Sequence, residues 1–225
     1  MPQALKSILS FCIFRLEDRV IGIKGKILTL ILCVVALTSV FCVFASADYS
    51  YTVVKGDSMW RIAVKHRVGL DEIKRANPDI KNPDLIYPGQ VLKIPSQDEG
   101  ALAFEDEVVR LVNRHRAAAG LKPLANNWQL ARVARYKSQD MKDKGYFAHN
   151  SPTYGTPFQM IKSFGISYRA AGENIAKGQS SPKAVVDAWM NSPGHRANIL
   201  NPSFTEIGVG YVSEGRYWTQ MFIGK

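Results

Sequence analysis

Between Ile27 and Phe44 the chain is almost purely apolar, and this run divides it into two parts under different constraints. Lys24 and Lys26 precede the run, Arg15 and Arg19 lie further back, and Ala45-Ser46-Ala47 follows it. A basic stretch, an apolar stretch and a small-x-small site in that order read as a secretory signal peptide over residues 1–47. The run is also about as long as a membrane-spanning helix needs, so an uncleaved signal anchor is the alternative. Cys33 follows Leu32 and Cys42 follows Phe41, where a lipobox would need a small residue. Either way the remainder is expected outside the cytoplasm, meeting a membrane only through an uncleaved N-terminal segment.

All three cysteines, Cys12, Cys33 and Cys42, fall in this leading part. The rest of the chain can therefore form neither a disulfide scaffold nor a thiolate metal site, and must rely on its apolar core. The formal charge is +10; five Lys/Arg and two Asp/Glu lie in residues 1–47, leaving +7 beyond them. A basic balance suits an anionic partner such as a cell-wall polymer. The basic residues are scattered, however, with no arginine-rich stripe or nucleic-acid motif, so no nucleic-acid partner is expected.

In residues 50–95, Tyr51-Thr52-Val53-Val54 reads as a strand ended by Gly56-Asp57. Ser58 is a good N-cap for a helix whose apolar positions Met59, Ile62, Ala63 and His66 recur at helical spacing. Trp60, early in that helix, is expected in the core. Leu70, Ile73 and Ala76 mark a second helix, stopped by Asn77-Pro78. After Tyr87-Pro88-Gly89 turns the chain, Gln90 to Pro95 alternates as a strand. Strand, helix, helix, strand in roughly 45 residues is a small unit for an independent core.

This stretch closely resembles a LysM module. The resemblance rests on Tyr51-Thr52-Val53, Lys55-Gly56-Asp57-Ser58, Trp60-Arg61-Ile62-Ala63, Asn77-Pro78 and the closing run from Ile86 to Pro95. It implies a βααβ fold that binds peptidoglycan or another N-acetylglucosamine glycan. The implied groove lies between the loop with Gly56, Asp57, Ser58 and Met59 and the loop with Pro78, Asp79, Ile80, Leu85, Ile86 and Tyr87. Acetamido groups want backbone donors and acceptors beside a shallow apolar wall, which such loops offer. Gly56, Asp57 and Gly89 equally read as plain turn formers.

Residues 96–100 are a short polar linker, and residues 101–225 form a second module. Phe104, Val108, Leu111, Val112, His115 and Ala119 follow helical spacing, with Glu105, Asp106 and Glu107 placed to favour the positive end of the helix dipole. Gly120 and Pro123 end that helix. Leu130, Ala131, Ala134, Ser138 and Met141 share a face of a second, which stops at Gly145. A shorter helix is expected from Pro157 to Phe164. Ser181-Pro182 opens another, with Val185, Val186 and Trp189 inward and Gly194 closing it. Ile207, Val209 and Tyr211 alternate, Glu214-Gly215 turns, and Tyr217 to Ile223 returns as a hairpin. Helices around one antiparallel sheet make an α+β domain.

Three Gly- or Pro-rich segments carry unusual polar groups: Phe147 to Pro152, Gly172-Glu173-Asn174-Ile175 and Ser192 to Arg196. Together with Val112-Asn113, Arg116, Gly120-Leu121, Pro123-Leu124, Trp189, Ile207-Gly208-Val209-Gly210 and Trp218-Thr219-Gln220 they resemble the CAP superfamily of cysteine-rich secretory and pathogenesis-related proteins. The resemblance implies an α-β-α sandwich with a central cleft. In many members that cleft holds two histidines and two glutamates. His149, Glu173 and His195 match three of these, whereas Ser192 stands where the second glutamate belongs.

A glycosidase of the usual kind needs two carboxyl groups, and only Glu173 is matched. A Ser-His nucleophile is conceivable through Ser151 or Ser192, without an evident third orienting group. His149, His195 and Glu173 are a candidate zinc or other divalent-cation set with an open position, although no cofactor is required. The competing reading makes them a hydrogen-bonded knot that braces the loops. His66 and His115 read as core or capping histidines, and Asn198 and Gln220 as orienting groups. The favoured function is an extracellular protein of the cell wall or spore envelope, anchored by LysM and presenting the CAP cleft to a further ligand, cation or partner. The alternative is a LysM-tethered hydrolase acting on wall material or protein.

Overall fold

The computed structural model describes residues 48–225. The export-segment reading of residues 1–47 lies outside them. Among the described residues no helix is long and apolar enough to cross a membrane.

The first module runs β1 (Tyr49–Thr52), α1 (Met59–His66), α2 (Leu70–Ala76) and β2 (Val91–Ile94). The strands pair antiparallel, from Tyr49 opposite Ile94 to Thr52 opposite Val91. Met59, Ile62, Ala63, Val68, Ile73, Leu92 and Ile94 form the core. Asn77 staples α2 to β2: its side-chain amide donates to the carbonyls of Ile73 at 2.8 Å and Lys93 at 2.7 Å, and its oxygen accepts from Lys93 N–H at 2.8 Å. Trp60 corrects the sequence reading. It is 53% exposed, because the face carrying Met59, Ile62 and Ala63 takes the core and turns position 60 outward.

The second module contains α3 (Glu99–Ala118), β3 (Ala125–Asn126), α4 (Trp128–Lys144), α5 (Pro157–Ser163), β4 (Ala170–Lys177), α6 (Pro182–Met190), α7 (Pro193–Ile199), β5 (Glu206–Val212) and β6 (Tyr217–Gly224). The sheet order is β3-β5-β6-β4, antiparallel except where β3 joins β5. Each strand of the hairpin serves two cores. Ile207, Val209, Trp218 and Phe222 pack with Val108, Val112, Val185 and Trp189 from α3 and α6. Met221 and Ile223 pack on the other face with Leu130, Val133 and Ala134 of α4. Period-two alternation between two covered faces explains why all of β6 is buried. The result is the expected α+β, α-β-α sandwich.

Gly208 and Gly210 let α4 lie directly on β5. A Cβ on Gly208 would sit 2.2 Å from the Ala131 nitrogen, and one on Gly210 would sit 2.1 Å from the Arg135 nitrogen.

Two helix readings need correction. Helix α3 starts at Glu99, inside the supposed linker, where Asp98 accepts from Ala101 N–H at 3.1 Å. Its buried face includes Glu105 and Arg116, while Ala119 is exposed. Glu105 therefore lies past the first turn, not at the dipole end. Gly194 does not close α6, which is capped at Asn191; it lies inside α7. Gly172 to Ile175, the second of the segments with unusual polar groups, forms the middle of strand β4, paired with β6.

Candidate functional site

Strand β4 alternates faces, and this divides the candidate polar residues between its two sides. Glu173 lies opposite Met221, on the side of α4, and Asn174 lies opposite Gln220, on the other side. Glu173 is buried, and its Oε1 is 2.7 Å from Nδ1 of His149 in the loop after α4. His149 is itself about half exposed, at 54% of its side chain. Asn174 donates to Gln220 Oε1 at 2.9 Å and to the carbonyl of His195 at 3.0 Å. Asn198, one turn further along α7, donates to Asn174 Oδ1 at 2.8 Å and to the Glu173 carbonyl at 3.2 Å. The orienting roles expected of Asn198 and Gln220 are what these bonds provide.

The loop that carries His149 is held from beneath by two side chains that the sequence reading missed. Lys137 on α4 is almost fully buried and donates to the carbonyls of Ala148 at 2.8 Å and His149 at 2.7 Å, and to Tyr146 OH at 3.1 Å. Asp140, one turn on, accepts from Tyr146 OH at 2.6 Å, Ser151 OH at 2.7 Å and Thr153 OH at 2.5 Å. The spacing that places Ser138 inward gives no sign of Lys137 or Asp140; only a lysine and an aspartate one turn apart hint at their burial. The α7 side is held by Arg116, 1% exposed, whose guanidinium donates to the carbonyls of Lys122 at 2.9 Å, Ile199 at 2.8 Å and Asn201 at 2.8 Å.

Electrostatics separate the two histidines. The Glu173 carboxylate at its Nδ1 raises the His149 pKa above the ordinary histidine value, against the cost of burial. Burial, and then the charge of nearby His149, lower that of His195. Burial raises the Glu173 pKa, a shift opposed by His149 and Lys137. Burial likewise lowers that of Lys137.

Several candidate chemistries do not survive this geometry. Ser151 is no nucleophile: its hydroxyl donates to Asp140 and accepts from the N–H groups of Thr153 at 3.0 Å and Tyr154 at 2.9 Å, which consumes it in the turn. Ser192 begins α7 without a side-chain capping bond and makes no hydrogen bond to His149, Glu173 or His195. Among the described residues no group of three His, Cys, Asp or Glu side chains is placed to hold a metal ion. His149, Glu173 and His195 are not gathered into such a group in this structure: Glu173 bonds to His149, while His195 is held through its backbone carbonyl by Asn174. What remains is a carboxylate–imidazole pair in which Nδ1 is committed and Nε2 is left for a ligand or a proton. Glu173 Oε2 and Gln220 Nε2 are buried without a hydrogen-bond partner among the described residues, an uncommon state that a polar ligand or water would relieve.

The glycan candidates gather at one end of the LysM module. Antiparallel pairing places the end of β1 beside the start of β2, so the loops of residues 56–59 and 78–87 leave from the same edge. Asp57 is used structurally, accepting from Val54 N–H at 2.9 Å and Tyr51 OH at 2.8 Å. Ser58 caps α1 through Arg61 N–H. The side chain of Met59 is core, and Ile80 and Ile86 pack against that core, so these three offer backbone at most. Gly56, Pro78 and Asp79 are exposed, and Leu85 and Tyr87 are 53% and 59% exposed. Those last two are the large apolar side chains that the candidate loops leave at the surface. His66 sits at the opposite end, its Nδ1 against Tyr49 OH, and His115 is half-buried in the last turn of α3.

Comparison with known proteins follows this division. The family model described as Cysteine-rich secretory protein family, CAP, matches residues 109–222, and that of the LysM domain matches residues 51–95. The uncharacterized protein YkwD of Bacillus subtilis is 67% identical over 123 residues, which cover 55% of this chain and 48% of that protein. The spore coat assembly protein ExsA of Bacillus cereus is 47% identical over 47 residues, 21% of this chain and 7% of its own length. Among solved structures, an extracellular protein containing a SCP domain from Bacillus anthracis is 36% identical with a TM-score of 0.54, over 61% of this chain and 47% of that one. The aligned parts span about half of these relatives or less.

Proposed function

We propose, from the premise that the chain belongs to the CAP, or cysteine-rich secretory protein, family and carries a LysM domain ahead of it, that it is an extracellular cell-wall protein. LysM holds peptidoglycan or another N-acetylglucosamine glycan, and the CAP cleft receives a further polar ligand or partner. The observation that carries this reading is the exposure of Leu85 and Tyr87 on a loop beside the Gly56–Ser58 turn, an apolar wall next to accessible backbone. For the cleft beside His149, the unpartnered Glu173 Oε2 argues for a ligand that donates a hydrogen bond. Likeness to a spore coat assembly protein over 47 residues supports the spore envelope as a setting. The reading calls for no cofactor.

One observation favours the second reading, a hydrolase: the carboxylate-held imidazole of His149 has the form of a general base. The full chain, kept in mild detergent, is mixed with insoluble peptidoglycan and sedimented, with a parallel tube lacking wall. Sedimentation with the wall that soluble N-acetylglucosamine oligomers reverse is expected; equal sedimentation without wall, or no reversal, contradicts the LysM reading. Clearing of a peptidoglycan zymogram that His149→Ala abolishes would favour the hydrolase.

A further inference from the structure

The LysM module has two ends. The groove loops occupy the end where β1 finishes and β2 begins. The turn between α1 and α2, residues 67–69, lies at the other, where Tyr49 meets His66 and Ile94 leads into the second module. That far end makes the contact with the CAP domain.

The contact centres on one carboxylate. Glu72, in the first turn of α2, accepts from the N–H of Gly69 in its own module. Its Oε1 also accepts from Arg132 Nε at 2.7 Å and from Tyr136 OH at 2.7 Å, two residues one turn apart on α4 of the CAP domain. Arg75, one turn along α2, donates to the same Tyr136 oxygen at 2.9 Å. The Arg132 guanidinium lies 5.2 Å from the centre of the Phe164 ring and 5.6 Å from that of Tyr136, so rings of the CAP domain hold it in place. Both members of the ion pair are largely shielded, with side chains 18% and 20% exposed. Burial drives the Glu72 pKa up, but the bonds from Tyr136, Arg132 and Gly69 outweigh it and keep the group below the ordinary carboxylate range.

Shape agrees with charge. A Cβ on Gly69 would lie 2.3 Å from Arg132 Nη2, so only glycine lets the guanidinium come this close. The backbone there has φ −73° and ψ 146°, which any residue can adopt, so the glycine answers to the contact and not to its own turn. The connection has little slack as well. Gln97 Nε2 donates to the Arg67 carbonyl at 2.7 Å, folding the linker back onto the LysM module, and α3 begins two residues later. A cleft of about 530 Å³, lined by residues of both modules, lies beside the contact.

We propose that the CAP domain carries on α4 a docking surface for its own LysM module, built on Arg132 and Tyr136 around Glu72, and that this latch fixes the direction in which the CAP cleft faces when the LysM groove holds a glycan. A five-residue flexible tether would let the cleft sample most orientations. The latch instead leaves the groove end free and joins the modules as one body. The consequence for wall binding rests on the proposed function; the docking itself does not.

The test measures the docking without any glycan. In the full chain with Cys12, Cys33 and Cys42 replaced by Ser, spin labels are placed at Lys81 and Lys183, and their distance distribution is read by double electron–electron resonance. A single narrow distribution is expected for the parent. Arg132→Glu, which sets a second carboxylate against Glu72, is expected to broaden it at least twofold, while circular dichroism stays unchanged. Should Arg132→Glu fail to fold, Gly69→Leu fills the guanidinium's place from the LysM side and carries the same expectation. A broad parent distribution, or a variant distribution as narrow as the parent's, overturns the latch. Loss of wall binding with the narrow distribution intact would instead count against the LysM reading alone.

Discussion

Glu173 and Asn174 are neighbours on β4, yet they turn to opposite faces of the sheet and each holds a different segment of the chain. Glu173 meets His149 Nδ1 at 2.7 Å, and Asn174 reaches the His195 carbonyl at 3.0 Å. One strand thereby ties the loop of His149 and helix α7, which are far apart in sequence. It also makes the two histidines unequal: one is bound to a carboxylate and the other is held only by its backbone.

The first prediction follows from that inequality. Because Glu173 favours charged His149, the imidazole should titrate above an ordinary histidine and above His195, as followed by NMR. A raised folded-state pKa contributes stability fully below the unfolded value, and that contribution is lost as pH rises through the folded one. Glu173→Gln should move the His149 titration back toward the ordinary range and flatten this part of the stability profile. Unchanged shifts in the variant would dissolve the pair.

Helix α4 leaves no room above β5. Gly208→Ala and Gly210→Ala each place a methyl group within about 2 Å of helix backbone, so each should cost at least about 1–3 kcal/mol in urea unfolding. Gly194→Ala, where an added Cβ meets nothing within 4 Å, should stay within about 0.5 kcal/mol of the parent. Equal effects at all three positions would contradict the packing.

Glu105 tests the interior of the CAP domain. It is 3% exposed, accepts from Arg135 Nε at 2.9 Å on both oxygens and from Tyr211 N–H at 3.0 Å, and burial still pushes its pKa up to about 7. The folded chain should then keep a proton that the unfolded chain has released. Its contribution makes stability fall as pH rises from the ordinary carboxylate range to about 7, and level off above. Glu105→Gln should remove that slope. A slope of the same size in the variant assigns it to another group.

Much of this was legible in the chain. The β6 run from Tyr217 to Ile223 alternates cleanly between two cores, and the positions Leu130, Ala134, Ser138 and Met141 lie on the buried face of α4 as their spacing demands. Residues that break the usual pairing of polarity with exposure were not. Gly172, Glu173 and Asn174 hide the edge strand β4 because it buries polar groups that hold the His149 loop and α7. Lys137 and Arg116 look solvated but are buried, Lys137 satisfied by carbonyls of the segment that follows its helix and Arg116 by those of Ile199 and Asn201 far along the chain. Trp60 errs the other way, a large aromatic left at the surface because its neighbours fill the core. Contacts between modules, such as Glu72 with Arg132, leave no periodic trace at all.

The central claim is that the wall is held by the LysM groove and not by the CAP cleft, and affinity for insoluble peptidoglycan tests it most directly. Sedimentation isotherms of the full chain are compared with those of Leu85→Ser with Tyr87→Ala, and of His149→Ala with His195→Ala. Salt is raised until the +7 charge beyond residue 47 no longer dominates, since attraction to anionic polymers is screened within about 10 Å at roughly 0.1 M. The groove variant should weaken binding at least about tenfold, the loss of about 1.4 kcal/mol, and the cleft variant should bind as the parent does. Parent-like binding by the groove variant, with loss in the cleft variant, would contradict the account and make the CAP cleft the glycan site.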